Sequence, residues 1–493
     1  MSEAESSDIW AGDLLDRKSD ADFLISFLIG RVNERAQQGL PKSYVLNLNS
    51  RWGRGKTYFL TRLQKQLSEG GYLAVYVNAW SDDHADTPLI SVMAAIDDVL
   101  APKILANPTL KKLWSGVKDN AMQIAATASR GVAVQVAKRF LGDVAHEIAE
   151  IVTDSSPIAT GSAADGQDSK VGAIADAIDK ASEKTISKAL DDFRARSRTI
   201  SSFRARTAGC LAKFGEEQKL PLFVLVDELD RCRPSYAIEM LEQIKHLFEI
   251  DGVVFLVATD TDQLSHAVSA VYGPGFDSSR YLLRFFDRTY VFREPDLTPL
   301  VRYLFKQYGI DEGKLCSPPE NDHVEFFTGA MKYFRIQPRD AHQCFDLLRS
   351  VVTLWPHKSN INLALLLPLI VAHQSGNAKE FERLSSLRLM TETQIKESRI
   401  PEWYLRFPGV NPGEVDQVHF TDLHEHLTRY ASLTLGMIGK EDKPKHPNLR
   451  WALSTFLAEI AANYAGSGYP TKLRSTALSY PELVSSAAQF KIG

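Results

Sequence analysis

Asn49-Ser50-Arg51-Trp52-Gly53-Arg54-Gly55-Lys56-Thr57 is the stretch on which the fold turns. A short apolar run, Tyr44-Val45-Leu46-Asn47-Leu48, leads into it, and Tyr58, Phe59, Leu60, Leu63 and Leu67 follow at helical spacing. Strand, glycine loop and helix in that order are the setting a phosphate-binding loop requires. Gly53 and Gly55 let the backbone curl so that successive amide N–H groups point at phosphate oxygens. The helix starting near Lys56 adds its positive end. Lys56 is then expected to reach the β- and γ-phosphates of a nucleoside triphosphate, and the Thr57 hydroxyl to take a Mg²⁺ position. The usual pattern is G-x-x-x-x-G-K-S/T, and its first glycine is Ser50 here. A glycine there would relieve backbone strain, and Gly53 carries part of that freedom.

Working outward, Tyr72-Leu73-Ala74-Val75-Tyr76-Val77 reads as a second strand, ending in Asn78-Ala79-Trp80. Two further apolar runs, Leu222–Asp227 and Val253–Asp260, flank a helical stretch from Tyr236 to Ile250. Uninterrupted apolar strands alternating with helices predict a parallel sheet buried on both faces. Ahead of the loop, residues 8–40 read as a helical lead-in through Leu14, Leu15, Phe23, Leu24, Phe27, Leu28 and Val32. Between about 111 and 205 the texture changes: an Ala- and Val-rich charged segment, a linker-like stretch at 155–169 and an amphipathic segment with a basic end. Beyond about 295 the patterns are mostly helical, and no strand-turn-strand signal stands out.

The expected fold is therefore α/β. It is a three-layer αβα core with a parallel sheet, a helical insertion between the glycine loop and the acidic strand end, and a helical C-terminal region. The expected boundaries are 1–110 and 206–350 for the two parts of the core, 111–205 for the insertion and 351–493 for the last region.

The second chemical motif is Val226-Asp227-Glu228-Leu229-Asp230-Arg231. An acid at the C-terminal end of a parallel strand sits where ligands bind in open α/β sheets. Asp227 is the expected Mg²⁺ holder, directly or through water. Glu228 is placed to orient and deprotonate an attacking water, and Asp230 competes with it for that role. Both also suit the simpler account of acids gathered at a helix N-terminus.

These residues carry a resemblance. Asp227-Glu228-Leu229-Asp230-Arg231-Cys232-x-Pro234, the helix with Ala237, Leu241 and Ile244, Gly252-Val253-Val254-Phe255 and Asp260 with Gln263-Leu264 resemble the KAP family of P-loop NTPases. Arg51-Trp52-Gly53-x-Gly55-Lys56-Thr57 is similar to that family's tryptophan-containing Walker A loop. Asn78-Ala79-Trp80, Pro88-Leu89, Tyr281, Phe285-Phe286 and Pro338-Arg339-Asp340 match further landmarks.

The resemblance implies a Mg²⁺-dependent nucleoside triphosphatase related to the AAA+ and STAND groups. ATP is the expected substrate ahead of GTP, although no base-specific motif stands out. It also implies a setting in bacterial phage exclusion, beside partner proteins or as a homo-oligomer. It assigns nucleotide contacts to Arg51, Trp52, Gly53, Arg54, Gly55, Lys56, Thr57 and Tyr58, to a sensor-like Asp260 and to Arg339. Catalysis falls to Lys56 with Glu228 or Asp230, and the metal to Thr57 and Asp227. Many members carry membrane helices where this chain has its charged insertion, which makes a partner-binding or amphipathic insertion the expectation here.

Composition sets the bounds. The 493 residues are 44% hydrophobic and 24% charged, so a wholly disordered chain is excluded. A net charge of −4 gives no argument for nucleic acid as a partner. Four scattered cysteines suit a reducing cytoplasm, the N-terminus lacks the pattern of a secretory leader, and no run approaches the length of a spanning helix.

Several residues carry two readings each. Thr259-Asp260 reads as a γ-phosphate sensor or as a helix cap. Arg280, Arg284 and Arg288, four apart, read as one helical face holding an arginine finger or as a solvated face. Trp52 and Trp80 are expected to pack against the sheet rather than stack on a base. The basic run Arg194 to Arg206 reads as a solvated helix or as a grip on an anionic partner. Beside the hydrolase reading stand two others: a nucleotide-bound scaffold or sensor with negligible turnover, and a nucleic-acid-stimulated motor.

Overall fold

Five strands lie side by side in one parallel sheet in a computed structural model of the chain. The structure describes residues 8–140 and 197–489, apart from 85–86, 105–106, 217, 248, 319–321, 387–401, 409–413, 439, 441–445 and 465–472. The strands are β1 (Tyr44–Asn49), β2 (Tyr72–Asn78), β3 (Lys219–Asp227), β4 (Val253–Thr259) and β5 (Arg288–Val291), in spatial order β2-β3-β4-β1-β5. One strand, β4, thus separates the strand that feeds the glycine loop from the strand that ends in Asp227.

Because side chains alternate across a strand, each run divides between two cores. Val75, Val77, Val224, Val226, Phe255 and Val257 pack into one, under the helices Pro88–Ile104, Pro234–Leu247 and Thr261–Tyr272. Leu46, Leu48, Phe223, Leu225, Leu256 and Ala258 pack into the other, under Arg17–Gln37 and Lys56–Glu69. The three-layer α/β fold is as the sequence predicts. Leu256, with no exposed surface at the centre of β4, tests the layering. Leu256→Ala is expected to cost about 2–5 kcal/mol of unfolding free energy in urea titration; a loss near zero would contradict the buried central strand.

The chain forms two units. One holds the described residues up to Ala11 and those of Lys18–Trp52 and Lys56–Arg293; the other holds Gly12–Arg17, Gly53–Gly55 and Glu294 onward. The second unit is mainly helical around its own core. Its helix Leu363–Gln374 is buried on all sides, with Leu363 to Ile370 without a break, as expected of a helix apolar around its whole circumference.

Three expectations need correction. Beyond 295 the structure does contain strands: Tyr404–Pro408 pairs antiparallel with Val415–His419. Leu405 and Phe407 point inward while Tyr404, Arg406 and Pro408 face out, a period-2 signal too short and too charged to stand out. Arg280, Arg284 and Arg288 do not share a helical face, because the helix Ser278–Leu282 is five residues long and Arg288 opens β5. The edge of β1 needs partners, and Asp287 supplies them. Its N–H donates to the Val45 carbonyl and its carboxylate accepts the Val45 N–H, both at 2.8 Å, which draws the chain into extended pairing. In the lead-in, the helix is Arg17–Gln37, so Leu14 and Leu15 precede it.

The linker-like stretch at 155–169 and most of the expected amphipathic segment lie outside the described residues. From 197 to 214 the chain is helical. There Arg204 donates to the His246 carbonyl and Arg206 to the Gly116 carbonyl at 3.0 Å, so these two guanidinium groups are already bound to backbone. Among the described residues no helix is long and apolar enough to cross a membrane.

Candidate functional site

The carboxyl ends of the strands meet in register: Asn78 opposite Asp227, and Asn49 opposite Thr259. Gly53 and Gly55 have φ of 82° and 85°, the left-handed region that side-chain-bearing residues avoid, so the loop needs glycine at both positions. Ser50, at the missing first glycine, is 6% exposed; its N–H donates to the Thr259 carbonyl at 2.9 Å and its buried hydroxyl has no partner. A serine is thus tolerated without a left-handed backbone, and it leaves one spare donor inside the loop.

Lys56 opens the helix Lys56–Glu69 and is buried, its Nζ donating to the Ser50 carbonyl at 2.6 Å. Burial pulls its pKa below the ordinary lysine value, against the upward pull of Asp230, Asp260 and Asp227. A buried ammonium at a helix N-terminus is the kind of group that suits a phosphate. Thr57 stands next in the same turn, exposed.

Asp227 has no exposed surface. Its carboxylate accepts the Tyr76 hydroxyl and the Glu228 N–H, each at 2.9 Å, and no described cation forms an ion pair with it. Burial together with the Asp227 charge pushes the Tyr76 phenol pKa up, so Tyr76 stays a donor. A buried carboxylate held in place by neutral donors, with a hydroxyl from Thr57 as the other ligand type, fits a hard divalent cation.

Glu228 adopts φ 59° and ψ 26°, a left-handed conformation that a non-glycine residue holds only when its surroundings enforce it. Its carboxylate pairs with Arg231 at 2.8 Å and receives Asn78 Nδ2 at 3.5 Å. Asp230 accepts the Trp52 indole N–H on one oxygen, and its other oxygen is buried without a partner. Trp52 and Trp80 are 46% and 54% exposed, contrary to the expectation that they pack on the sheet. Polar tips explain the difference: the Trp52 N–H is committed to Asp230, and the Arg231 guanidinium lies over the Trp80 ring at 5.5 Å.

Asp260 caps the helix Thr261–Tyr272 through the Gln263 N–H at 3.4 Å, which is the cap reading, and its charge also acts on Lys56. The Thr259 hydroxyl is committed to Asn47 at 2.8 Å. Tyr58 lies under the Arg62 guanidinium, 3.4 Å from the ring centroid. Arg51 is exposed. Within the second unit Arg54 bonds Gln337 at 2.8 Å and Glu294 at 3.0 Å, and Arg339 is the second residue of the helix Pro338–Leu354.

Tyr76, Asn47 and the Arg231 pairing escape sequence reasoning. Tyr76 reads simply as a strand residue; its placement one strand over from Asp227 depends on β2–β3 pairing. Arg231 sits three residues after Glu228, a spacing that does signal a pair on a helical turn.

A glycine loop between strand and helix, a buried lysine at its end and an acid closing a neighbouring parallel strand define a P-loop nucleotide-binding domain. Residues 32–290, more than half of the chain, match the KAP family P-loop domain. The chain belongs to the KAP family of P-loop NTPases. No curated protein matches it.

Proposed function

We propose that the chain is a Mg²⁺-dependent ATPase whose turnover drives a conformational or assembly change, and that it acts with partner proteins in bacterial defence against phage. The observation that carries the hydrolase reading is the buried Lys56 ammonium beside Asp227, Asp230 and Asp260 at the carboxyl edge of the sheet. Thr57 and Asp227 would hold Mg²⁺, which when bound neutralises charge on the β- and γ-phosphate oxygens. Loop amides and Lys56 bind the phosphates and stabilise charge that develops on them. Glu228 or Asp230 takes the proton of the attacking water. Tyr76 holds the Asp227 carboxylate in orientation. The setting in defence and the partners rest on the family resemblance, and the choice between ATP and GTP falls to the phosphate-release assay.

Glu228 is closed off by Arg231, which favours low basal turnover and keeps the sensor reading beside the hydrolase one. Arg231→Ala is expected to raise basal phosphate release about two- to five-fold, since a partly exposed ion pair contributes up to about 1 kcal/mol. A fall in rate instead would give Arg231 a direct part in the reaction. The primary test is phosphate release from ATP and from GTP with Mg²⁺, alongside nucleotide binding. Retained nucleotide with no release would select the sensor. Stimulation by DNA or RNA that is lost with salt would select the motor.

A further inference from the structure

The second unit contains a cavity of about 350 Å³, within the range of small-molecule sites. One wall is the helix Pro447–Tyr464, which turns Trp451, Ser454, Thr455, Ala458, Glu459 and Ala462 toward it. Their spacing of three and four makes them a single helical stripe. Four of the six are small, so the stripe leaves space where a packed core would place large side chains.

The charge in this cavity is unbalanced. Glu459 is 7% exposed and accepts the Ser475 hydroxyl at 2.8 Å and the Thr476 N–H at 2.6 Å. Both donors are neutral, and no described Lys, Arg or His pairs with it. A buried carboxylate without a cation is costly, and each of its oxygens still has a lone pair to offer. Across the cavity Asn362 is 7% exposed; its side-chain oxygen caps the Ala364 N–H at 3.0 Å, and its side-chain nitrogen is buried with no partner. One acceptor with negative charge and one donor are therefore left over in the lining of the same cavity, together with the rings of Trp451 and Phe456.

We propose that this cavity binds a small organic amine. Its ammonium is met by Glu459, its apolar stem by Trp451 and Phe456, and an acceptor at its far end satisfies Asn362. An ammonium needs only hydrogen-bond acceptors and an aromatic face. A divalent metal needs several anionic or carbonyl oxygens, and among the described residues no group of three or more His, Cys, Asp or Glu is placed to hold one. The cavity shares no residue with the nucleotide loop, and the proposal stands whether or not the chain hydrolyses ATP.

The test is isothermal titration of the full chain, without nucleotide, with 4-(2-aminoethyl)phenol and its uncharged counterpart 4-(2-hydroxyethyl)phenol. Saturable binding of the amine is expected, at least about ten-fold tighter than the alcohol. Glu459→Gln should weaken the amine about ten-fold and narrow that difference. Ala458→Phe, on the exposed part of the stripe, should block binding with an unchanged melting temperature, and carries the test if Glu459→Gln misfolds. No saturable binding, equal affinity for amine and alcohol, or Ala458→Phe that binds as the parent does would each overturn the proposal.

Discussion

Lys56→Ala is expected to remove nucleotide-dependent activity, with phosphate release down about a thousand-fold and ATP no longer raising the melting temperature. Removing one preorganised donor to developing charge costs about two to three orders of magnitude in comparable sites. Lys56 supplies a full positive charge from a buried position, so the loss belongs at the upper end of that range. The substitution also removes the positive charge on which Asp230, Asp260 and Asp227 act, so phosphate would meet net negative charge. A pH profile separates charge from packing. The binding form is the protonated one and burial lowers the Lys56 pKa, so affinity for ADP should decline as pH rises toward the depressed value, below the ordinary lysine range. In Lys56→Arg that alkaline decline should disappear, because a guanidinium stays charged. Turnover that survives Lys56→Ala would refute the P-loop assignment of this site.

The sheet was readable because each of its main strands is an apolar run closed by a polar residue with chemistry to do: Asn49, Asn78, Asp227, Thr259. Periodicity gives a strand's existence but not its neighbours, so the order β2-β3-β4-β1-β5 came only with the structure. Arg280, Arg284 and Arg288 show how spacing misleads. A four-residue repeat is a helical face only if the helix continues, and this helix stops at Leu282, before Asp287 pairs with Val45 and the chain enters β5. The second unit was opaque for another reason. Its helices bury one another, as in Leu363–Gln374, so amphipathic contrast is lost where the packing is densest.

Within the site, residues whose role follows from local backbone were legible: Gly53, Gly55, Lys56 and Asp227. Those whose role depends on pairing between distant segments were not. Tyr76 meets Asp227 across 151 positions, and Trp52 meets Asp230 across 178. Ring size alone suggests burial for both tryptophans, whereas a carboxylate on the Trp52 indole N–H and a guanidinium over the Trp80 ring can hold each ring at the surface.

The division of labour between Glu228 and Asp230 is decided by a second large effect. Glu228→Gln is expected to lower phosphate release about 10²–10⁴-fold, the range for loss of a general base, while nucleotide binding persists. Gln keeps the size and the left-handed backbone at 228, so the change isolates the carboxylate from the geometry. Asp230→Asn should act differently. Asp230 is the foremost of the carboxylates acting on Lys56 and holds the Trp52 indole, so its loss disturbs the loop and raises KM more than it lowers kcat. The argument for Glu228 is conformational. It follows Asp227 directly, and its backbone is held at φ 59°, a strain of about 1–3 kcal/mol that fixes where the carboxylate points. The Arg231 contact then acts on the rate only through Glu228, so Arg231→Ala added to Glu228→Gln should give no acceleration. If Asp230→Asn loses kcat at unchanged KM while Glu228→Gln still turns over, the water is activated by Asp230, and the Glu228–Arg231 pair is a brace for the turn after β3.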